Sequence, residues 1–264
     1  MPQPCPLPLV ETLSSAQRGE IWRSDKARSL DHPILYWMTR GQGRFMVDCK
    51  MRGVGPNTVV YVPAHTLFSY EVFARPQGMV ITLPNALKVG FPTEPALLRA
   101  TAVHAQNELS GLIDMLSREL TEHRTGQRRA VHACTMMMAV WLNRLLAGQP
   151  QEHVGKSERV LRKFSHVVSI NHGDGKSVGE FAADLEVTPT HLTRLTQNSI
   201  GKPASTLVQE RMIYAACDAL MNSDHPVKDI SARLGFNSPA YFTRAFQAQT
   251  GKSPSDFRKS RRLN

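Results

Sequence analysis

The sequence predicts a two-domain α+β chain, with an antiparallel β region followed by helices and then an all-α second domain. Three observations support this prediction. Short β-favouring runs separated by glycines fill residues 34–83, the apolar spacing changes to a helical period after Pro95, and a short motif recurs fifty positions later near the carboxyl end. A length of 264 residues is enough for two domains, which we place at 1–150 and 156–264.

The composition favours a polyanionic partner. The chain has 32 Lys and Arg against 22 Asp and Glu, a formal net charge of +10, and such a balance is typical of proteins that bind nucleic acid or an anionic membrane surface. The most apolar stretch, 131–146, is interrupted by His132, Asn143 and Arg144, so no membrane segment is predicted. The amino terminus lacks the basic-then-apolar order of a secretion signal, so we expect a cytoplasmic location.

Four short runs in the first domain predict antiparallel strands of a barrel or a sandwich. Each run is rich in β-branched or aromatic residues, and turn residues such as Gly41, Gly55 and Gly78 separate them. The runs are residues 34–38, 44–47, 58–62 and 79–83.

Two helices are predicted after these strands. Leucine and isoleucine recur at three- and four-residue steps over 109–120, and this stripe fits either packing within one chain or contact with a second subunit. Residues 129–146 are apolar nearly all round, which predicts a buried helix beneath the sheet or between domains. A polar linker is predicted at 147–155. The candidate residues for a subunit contact are Leu109, Leu112, Leu116 and Leu120.

An internal repeat in the second domain carries most of the functional information. Thr188 and Ser238 each precede a proline, and a Gly-Lys pair follows each at the same fifty-residue offset. Threonine and serine are good helix N-caps, and proline at the first helical position loses no hydrogen bond, so both copies predict a helix start. A shorter amphipathic helix precedes each copy, at 178–185 and 227–234. A short helix, a tight turn and a capped second helix make a helix-turn-helix.

The two predicted motifs, at about 177–200 and 227–250, present matching outer faces. Large apolar residues, such as Leu192 in the first copy and Phe242 in the second, point inward. The residues on the opposite side of each helix therefore face outward. An outward arginine can grip a guanine through O6 and N7, while threonine and alanine can touch a thymine methyl. A single arginine on a protein surface is usually solvated or ion-paired. Because both copies carry an arginine at the same position of the repeat, we interpret these arginines as base contacts. The outward residues are Thr190, Thr193 and Arg194 in the first copy and Ala240, Thr243 and Arg244 in the second.

Residues 203–221 have a helical period and predict a linking helix between the two motifs. About 19 residues that rise ~1.5 Å each give ~28 Å. This length is close to the ~34 Å that separates successive major grooves on one face of the duplex. The spacing therefore fits two helices that read one face of DNA.

Residues 229–246, continued by Gly251, Ser253-Pro254 and Phe257-Arg258, resemble the signature of the AraC/XylS family of bacterial transcription regulators. The resemblance covers 177–262. It implies that promoter DNA and RNA polymerase are partners, that Ser238 lies near phosphates, and that activation is the expected sign of regulation. The DNA-binding residues so predicted are Thr188, Thr190, Thr193, Arg194, Ser238, Pro239, Ala240, Thr243 and Arg244.

The chain departs from the family pattern at three of these or neighbouring positions. Thr190 and Ala240 stand where the family commonly has a bulky or amide side chain, and Gln247 replaces the usual basic residue after Phe246. The operator sequence of other members therefore does not transfer to this chain.

Residues 40–65 look like the cupin-type sensor domain that many members of this family carry before their DNA-binding unit. A metal-binding cupin supplies a His-x-His pair and a nearby carboxylate, but Thr66 and Leu67 follow His65, so no metal or cofactor is predicted. The polar and aromatic residues of this region either line a pocket for a small effector or are ordinary barrel residues. The candidate pocket residues are Tyr36, Trp37, Arg40, His65, Tyr70 and Glu71.

The leading prediction is an effector-responsive, sequence-specific regulator that acts as a homodimer and an activator. A nonspecific architectural DNA binder is the alternative, and it would show little difference in affinity between its best site and random duplex. A cupin enzyme with a DNA-binding appendage is a third class, but residues 1–150 offer neither a catalytic triad nor a ligand cluster. No enzymatic activity is therefore expected.

Overall fold

The computed structural model describes residues 6–19, 22–150, 154–171, 175–236 and 238–261. The predicted order, an antiparallel β region followed by helices, is confirmed. The first part begins with β1 (Leu9–Thr12) and α1 (Leu13–Gly19) and continues with β2 (Ile34–Val47), β3 (Lys50–Val54), β4 (Thr58–Val62), β5 (Phe68–Thr82) and β6 (Ala96–Arg99).

These strands form one antiparallel sheet in the order β1–β5–β2–β4–β6, with β3 paired to the second half of β2. β2 runs through 14 residues, where the sequence predicted two separate strands. The reason lies at Gly41, which has φ 97° and passes so close to β5 that a Cβ would lie 2.9 Å from the Cα of Pro76. The glycine makes a bulge, so the strand bends without ending.

The bend of β2 closes the sheet over an aromatic cluster. Tyr36 and Phe45 lie on the same strand, yet their ring centroids are 5.1 Å apart. Nine residues of straight strand would span about 30 Å, so the two halves of β2 face each other across the cluster. Tyr70 completes it by stacking on Phe45, with ring centroids 5.0 Å apart.

The other face of the sheet is covered by α2 (Val103–Glu122) and α3 (Gln127–Ala147). Leu109 and Leu116 are fully buried between these helices and the sheet, and Leu112 and Leu120 pack at the edge of the same core. Of the two interpretations of the leucine stripe, the structure shows packing within the chain. Leu109 and Leu116 are therefore not available as the predicted contact with a second subunit, and for the half-buried Leu112 and Leu120 the contact stays a prediction.

The prediction that residues 129–146 form a buried helix beneath the sheet or between domains is wrong for one face of α3. Trp141 and Leu142 lie in the core, but Met137 and Val140 are exposed. The helix is long and apolar enough to cross a membrane by length and composition alone. Since its buried face packs on the sheet, we interpret it as a core helix of this fold.

The second part of the chain is helical and is built around one long helix. The predicted helix starts after Thr188 and Ser238 and the predicted linking helix are confirmed. The helices are α4 (Lys156–Ile170), α5 (Val178–Asp184), α6 (Pro189–Ile200), α7 (Ala204–Asn222), α8 (Val227–Arg233), α9 (Pro239–Thr250) and α10 (Pro254–Arg261).

The two parts of the chain share a hydrophobic core, which the sequence did not predict. Ala27, Met46, Cys49 and Leu67 come from the first part and pack with buried residues of α4 to α7. α3 ends at Ala147 and α4 begins at Lys156, on either side of the predicted linker, of which 151–153 lie outside the described residues. The division at 150–156 stays a prediction.

Candidate nucleic-acid interface

The second helices of the two motifs, α6 and α9, begin in the same way. The Thr188 hydroxyl accepts a hydrogen bond from the backbone N–H of His191 at 3.2 Å, and the Ser238 hydroxyl accepts one from that of Tyr241 at 3.1 Å. In both helices a proline occupies the first turn. Each cap satisfies a backbone donor that would otherwise lack a partner, so it fixes where the helix begins.

The two helices also end alike, at Gly201 and Gly251. Both glycines adopt the left-handed conformation, with φ 71° and 75°, which a residue with a Cβ rarely adopts. This is the usual way to end a helix, and it explains why a glycine recurs at this point in both copies. Each recognition helix therefore has the same length, 12 residues.

The first helix of each motif crosses the second through a small buried residue. Ala182 in α5 and Ser231 in α8 are buried, and Leu192 and Phe242 fill the inside of α6 and α9. Gly235 has φ 72° in the turn of the second motif. This packing holds the outer face of each second helix away from the core.

α5 has a capping box that the sequence analysis missed. The Ser177 hydroxyl accepts from the Glu180 N–H, and the Glu180 carboxylate accepts from the Ser177 N–H at 2.8 Å. These hydrogen bonds from Ser177 lower the pKa of Glu180 below its usual value. The Ser-x-x-Glu spacing is a signal that would have revealed this start.

On the outer face of α6, Thr190 and Arg194 are exposed and Thr193 is half-buried. The Arg194 guanidinium lies 3.1 Å from Nδ1 of His191, one turn earlier on the same face. A ring nitrogen that accepts from Arg194 leaves the other guanidinium donors directed outward. The predicted residues of the first copy therefore lie together.

On the outer face of α9, Pro239, Ala240 and Arg244 are exposed. Thr243 is half-buried, and its hydroxyl donates to the Pro239 carbonyl at 2.9 Å, so its methyl group is the part available to a partner. This face offers one cation and a small apolar surface. Such a surface suits a guanine edge beside a thymine methyl.

His191 and Tyr241 belong to these outer faces but were not among the predicted residues. They occupy the same position in the two copies, and Tyr241 is 53% exposed beside the ring of Phe236. Their equivalent places in the fifty-residue repeat are the sequence signal that could have identified them. One side chain is an imidazole and the other is a phenol, so the two helices present different chemistry at this position.

The first motif is tied to the sheet by hydrogen bonds as well as by the shared core. The hydroxyl of Ser199, near the end of α6, donates to the Cys49 carbonyl in the turn between β2 and β3, at 2.6 Å. In α4, Ser165 donates to the Asp48 carboxylate at 2.6 Å and accepts from the Leu67 N–H at 3.3 Å. These contacts fix α4 and α6 against one end of the sheet.

α7 is tied to residues 22–30, the segment that precedes β2. Glu210 is fully buried, and its carboxylate accepts from the Ala27 N–H at 2.8 Å and from the Lys202 ammonium at 2.9 Å. Lys26 lies 3.5 Å from the same carboxylate. The next residue, Arg211, donates to the Ser29 hydroxyl at 2.7 Å. The linking helix is thus held by the first part of the chain.

The second motif has a core of its own around Phe242, Phe246 and Phe257. α7 contributes Ile213 and other buried residues to it. In the described part of the chain, Trp22 is the one residue of the first part that joins this core. The second motif is therefore held mainly through α7.

The six residues predicted to line an effector pocket do not come together. Tyr36 and Tyr70 lie in the aromatic cluster, whereas Trp37 points to the other face of the sheet and donates to the Ser110 hydroxyl at 3.3 Å. Alternation along β2 explains the difference between Tyr36 and Trp37.

The other three predicted pocket residues lie near the surface. Arg40 is exposed at the bulge of β2, His65 is exposed in a turn with φ 56°, and Glu71 pairs with Arg44 at 2.9 Å. Within the described ranges, no three His, Cys, Asp or Glu side chains are grouped so that they could hold a metal ion.

Comparison with known proteins agrees with this geometry. Residues 181–260 match a family model described as a helix-turn-helix domain. The uncharacterised regulator YfiF of Bacillus subtilis is 35% identical over 108 residues, which are 41% of this chain and 34% of YfiF. The virulence regulon transcriptional activator VirF of Yersinia enterocolitica is 27% identical over 249 residues, which are 91% of this chain and 86% of VirF. The helix-turn-helix part of the chain is similar to transcription regulators of the AraC/XylS family.

The match to the helix-turn-helix model spans both motifs, since it runs from α5 to α10. The solved structure of unsaturated fatty acid bound ToxT from Vibrio cholerae has the same fold, with a TM-score of 0.50 and 13% identity over 98% of this chain and 97% of ToxT. The chain spans only about a third of the length of YfiF.

Proposed function

We propose that the chain is a sequence-specific DNA-binding transcription regulator that reads two successive major grooves with α6 and α9. One observation carries the proposal: a capped helix with an exposed arginine, Arg194 or Arg244, occurs in the same register at each end of α7. α7 has 19 residues. At ~1.5 Å each they span ~28 Å, close to the ~34 Å between major grooves on one DNA face.

The proposed division of labour follows from the two outer faces. Arg194 and Arg244 each donate to a guanine edge, and a good bidentate contact of this kind gives about 1–3 kcal/mol of discrimination. The N-terminal turns of α6 and α9, with Thr188 and Ser238, lie nearest the phosphates, because helix N-termini attract anions. The arginine contacts to bases specify the sequence, and the contacts of the helix N-termini to phosphates position the protein.

Substitution of Arg244 by alanine tests the proposal. We expect Arg244→Ala to weaken binding to the preferred duplex by about 10-fold or more, while binding to random duplex changes much less. Arg128→Ala is the matched control, since Arg128 is exposed on α3, outside both motifs. Fluorescence anisotropy on both duplexes measures the ratio. Equal weakening on both would contradict base reading by Arg244 and favour nonspecific phosphate binding.

Activation is the proposed sign of regulation, with RNA polymerase as the protein partner and the cytoplasm as the location. VirF, which is similar over most of its length, is named as an activator. A small-molecule effector is also part of the proposal. The shared core and the Glu210 contacts support it, because they connect the sheet to the first motif and to α7.

A homodimer is the proposed assembly, through the outer face of α2 and α3 rather than the buried leucines. Ala133, Met137 and Val140 form an exposed stripe on α3, and Met115 is exposed on α2. α2 is mostly acidic and α3 carries only basic charges, so a two-fold axis would place opposite charges together. Val140→Glu should shift the sedimentation coefficient from dimer to monomer, and a monomeric wild-type chain would contradict the proposal.

A further inference from the structure

A cavity of about 390 Å³ lies between the sheet and α2, beside the bulge of β2. Its wall comes from the junction of β1 with α1, from β2 and β5 next to the bulge, and from one face of α2. Trp37 lines it, so it is on the face of the sheet that α2 and α3 cover, away from the aromatic cluster around Tyr36. We call it the bulge cavity.

One side of the bulge cavity is apolar. Trp37 and Ile113 are buried in the core between the sheet and α2, and Pro76 and Met79, which line the same cavity, are half-buried. A small-molecule site typically combines such apolar walls with a few polar groups that orient the ligand. This side can therefore hold the apolar part of a ligand, and the remaining groups of the wall select its polar part.

The hydrogen-bond donors of this wall are largely used within the protein. The indole N–H of Trp37 donates to the Ser110 hydroxyl at 3.3 Å, and the Thr39 hydroxyl donates to the Gln77 carbonyl at 3.1 Å. A hydroxyl that takes part in one such bond still has an oxygen lone pair that can accept another. The wall is therefore better matched to a ligand that donates hydrogen bonds than to one that accepts them.

Asp114 is the one charged side chain among the described residues of this wall. It is exposed, which places its carboxylate at the mouth of the bulge cavity. Within the described ranges no ion pair or hydrogen bond joins the carboxylate to another side chain, although Arg118 lies one turn further along α2. A negative charge next to an apolar wall, in a chain with a formal net charge of +10, favours an organic cation.

We propose that the bulge cavity binds a small amphipathic primary amine, with its ammonium group at Asp114 and its apolar body against Trp37, Met79 and Ile113. An ammonium group has three donors and no acceptor, so it suits a wall whose free groups are a carboxylate and hydroxyl oxygens. Its hydrogen bond to a carboxylate is strengthened by both charges. This inference rests on the proposed function, because it names the chemical class of the effector.

A ligand in the bulge cavity connects α2 to the sheet. The hydrogen bond from Trp37 of β2 to Ser110 of α2 already joins the two elements at this point. A ligand that contacts both Asp114 and Trp37 adds a second connection and stabilises α2 on the sheet. Asp114 directly precedes Met115, which is exposed on the face of α2 proposed for the subunit contact. Ligand binding therefore couples to the position of that face.

Calorimetric titration of the full chain without DNA at neutral pH tests the ligand class. Cyclohexylmethylamine is the probe, cyclohexylmethanol is its uncharged match, and cyclohexylacetate is an anion of similar size. We expect one amine to bind per chain, about 5-fold or more tightly than the alcohol, because a partly exposed ion pair is partly screened by water. The anion should bind most weakly. Equal binding of amine and alcohol, tighter binding of the anion, or binding of none of the three would overturn the proposal.

Substitutions at exposed positions locate the site without disturbing the core. Asp114→Asn should weaken the amine to the level of the alcohol and leave the alcohol unchanged. Glu108→Gln is the matched control, because Glu108 is an exposed acid of α2 outside the cavity wall.

Ser14 gives a second, independent test, since it is exposed and lines the bulge cavity from α1. An added charge at this position acts on the ligand through the cavity. Ser14→Glu should tighten binding of the amine, and Ser14→Lys should weaken it. Unchanged affinity for the amine in Asp114→Asn, or the same effect of both Ser14 variants, would place the ligand elsewhere and overturn the assignment.

Amide hydrogen exchange and DNA binding separate the ligand site from the proposed function. Saturating amine should slow exchange at 110–115, and unchanged exchange there would contradict a site against α2. A chain that prefers one duplex but does not bind the amine refutes the ligand site alone. A chain that binds the amine through Asp114 but shows no preference among duplexes refutes the proposed function and leaves the ligand site intact.

Discussion

The two helix-turn-helix motifs have the same local construction but different surroundings. Both use a hydroxyl cap, a proline in the first turn, a left-handed glycine at the end and a large buried side chain on the inner face. The first motif shares its core with the sheet, and Ser199 of α6 is bonded to Cys49. The second packs on α7 around a separate core. Local sequence thus sets the shape of each motif, and tertiary contacts set what each motif packs against.

This difference suggests unequal roles for the two motifs. The first part of the chain contacts the first motif directly and contacts the second mainly through α7, with Trp22 as its own residue in that core. The predictions below separate the two motifs, beginning with the largest expected effect.

Truncation of a core phenylalanine should distinguish the two cores most strongly. Phe181→Ala and Phe246→Ala each remove a fully buried ring and should lower the free energy of unfolding by about 3–5 kcal/mol. Amide hydrogen exchange locates the segments that lose stability. We expect faster exchange in Phe181→Ala at both 178–200 and 46–51, and in Phe246→Ala only at 213–257. The same exchange pattern in both variants would contradict separate cores.

Removal of the buried carboxylate should weaken the link between the first part of the chain and α7. Glu210→Gln takes away the charge that faces Lys26 and Lys202, and breaking such a buried pair costs about 3 kcal/mol. Chemical denaturation measures the loss, and exchange at 26–30 should rise. Glu186→Gln is the control, since Glu186 is exposed. Equal stability of the two variants would show that the Glu210 contacts do not hold α7.

Removal of the caps should affect both motifs by the same small amount. Thr188→Ala and Ser238→Ala each leave one backbone donor without its partner, at a cost of about 1 kcal/mol. Thr190→Ala is the control, because Thr190 is exposed on the outer face. Thermal unfolding measures all three. A large difference between the two cap variants would show that the surroundings, rather than local geometry, fix the helix starts.

The sequence predicted those parts of the fold that local rules determine. The caps at Thr188 and Ser238 and the length of α7 follow from residue preferences and spacing, and the structure has them where they were expected. The leucine stripe around Leu116 was compatible with packing within the chain or with contact to a second subunit, because periodicity shows that a face is buried but not what covers it.

The contacts between distant segments could not be predicted. Ala27 and Glu210 lie 183 positions apart, and no spacing rule connects them. The pocket residues were wrongly grouped for a related reason: Tyr36 and Trp37 are neighbours in sequence, but they alternate to opposite faces of β2. Arg28 and Trp22 precede the predicted strands in a segment with no clear periodicity, so their burial was not predicted.

The most direct test of the central claim is selection of bound sequences from a random duplex pool by the full chain at near-physiological salt. The account predicts a motif with two conserved elements about 10 base pairs apart, centre to centre, one for each of α6 and α9. The selection should be repeated with Arg194→Ala, which should remove information from one element only. A single element, or no enrichment over random duplex, would contradict the claim that both helices read one face of DNA.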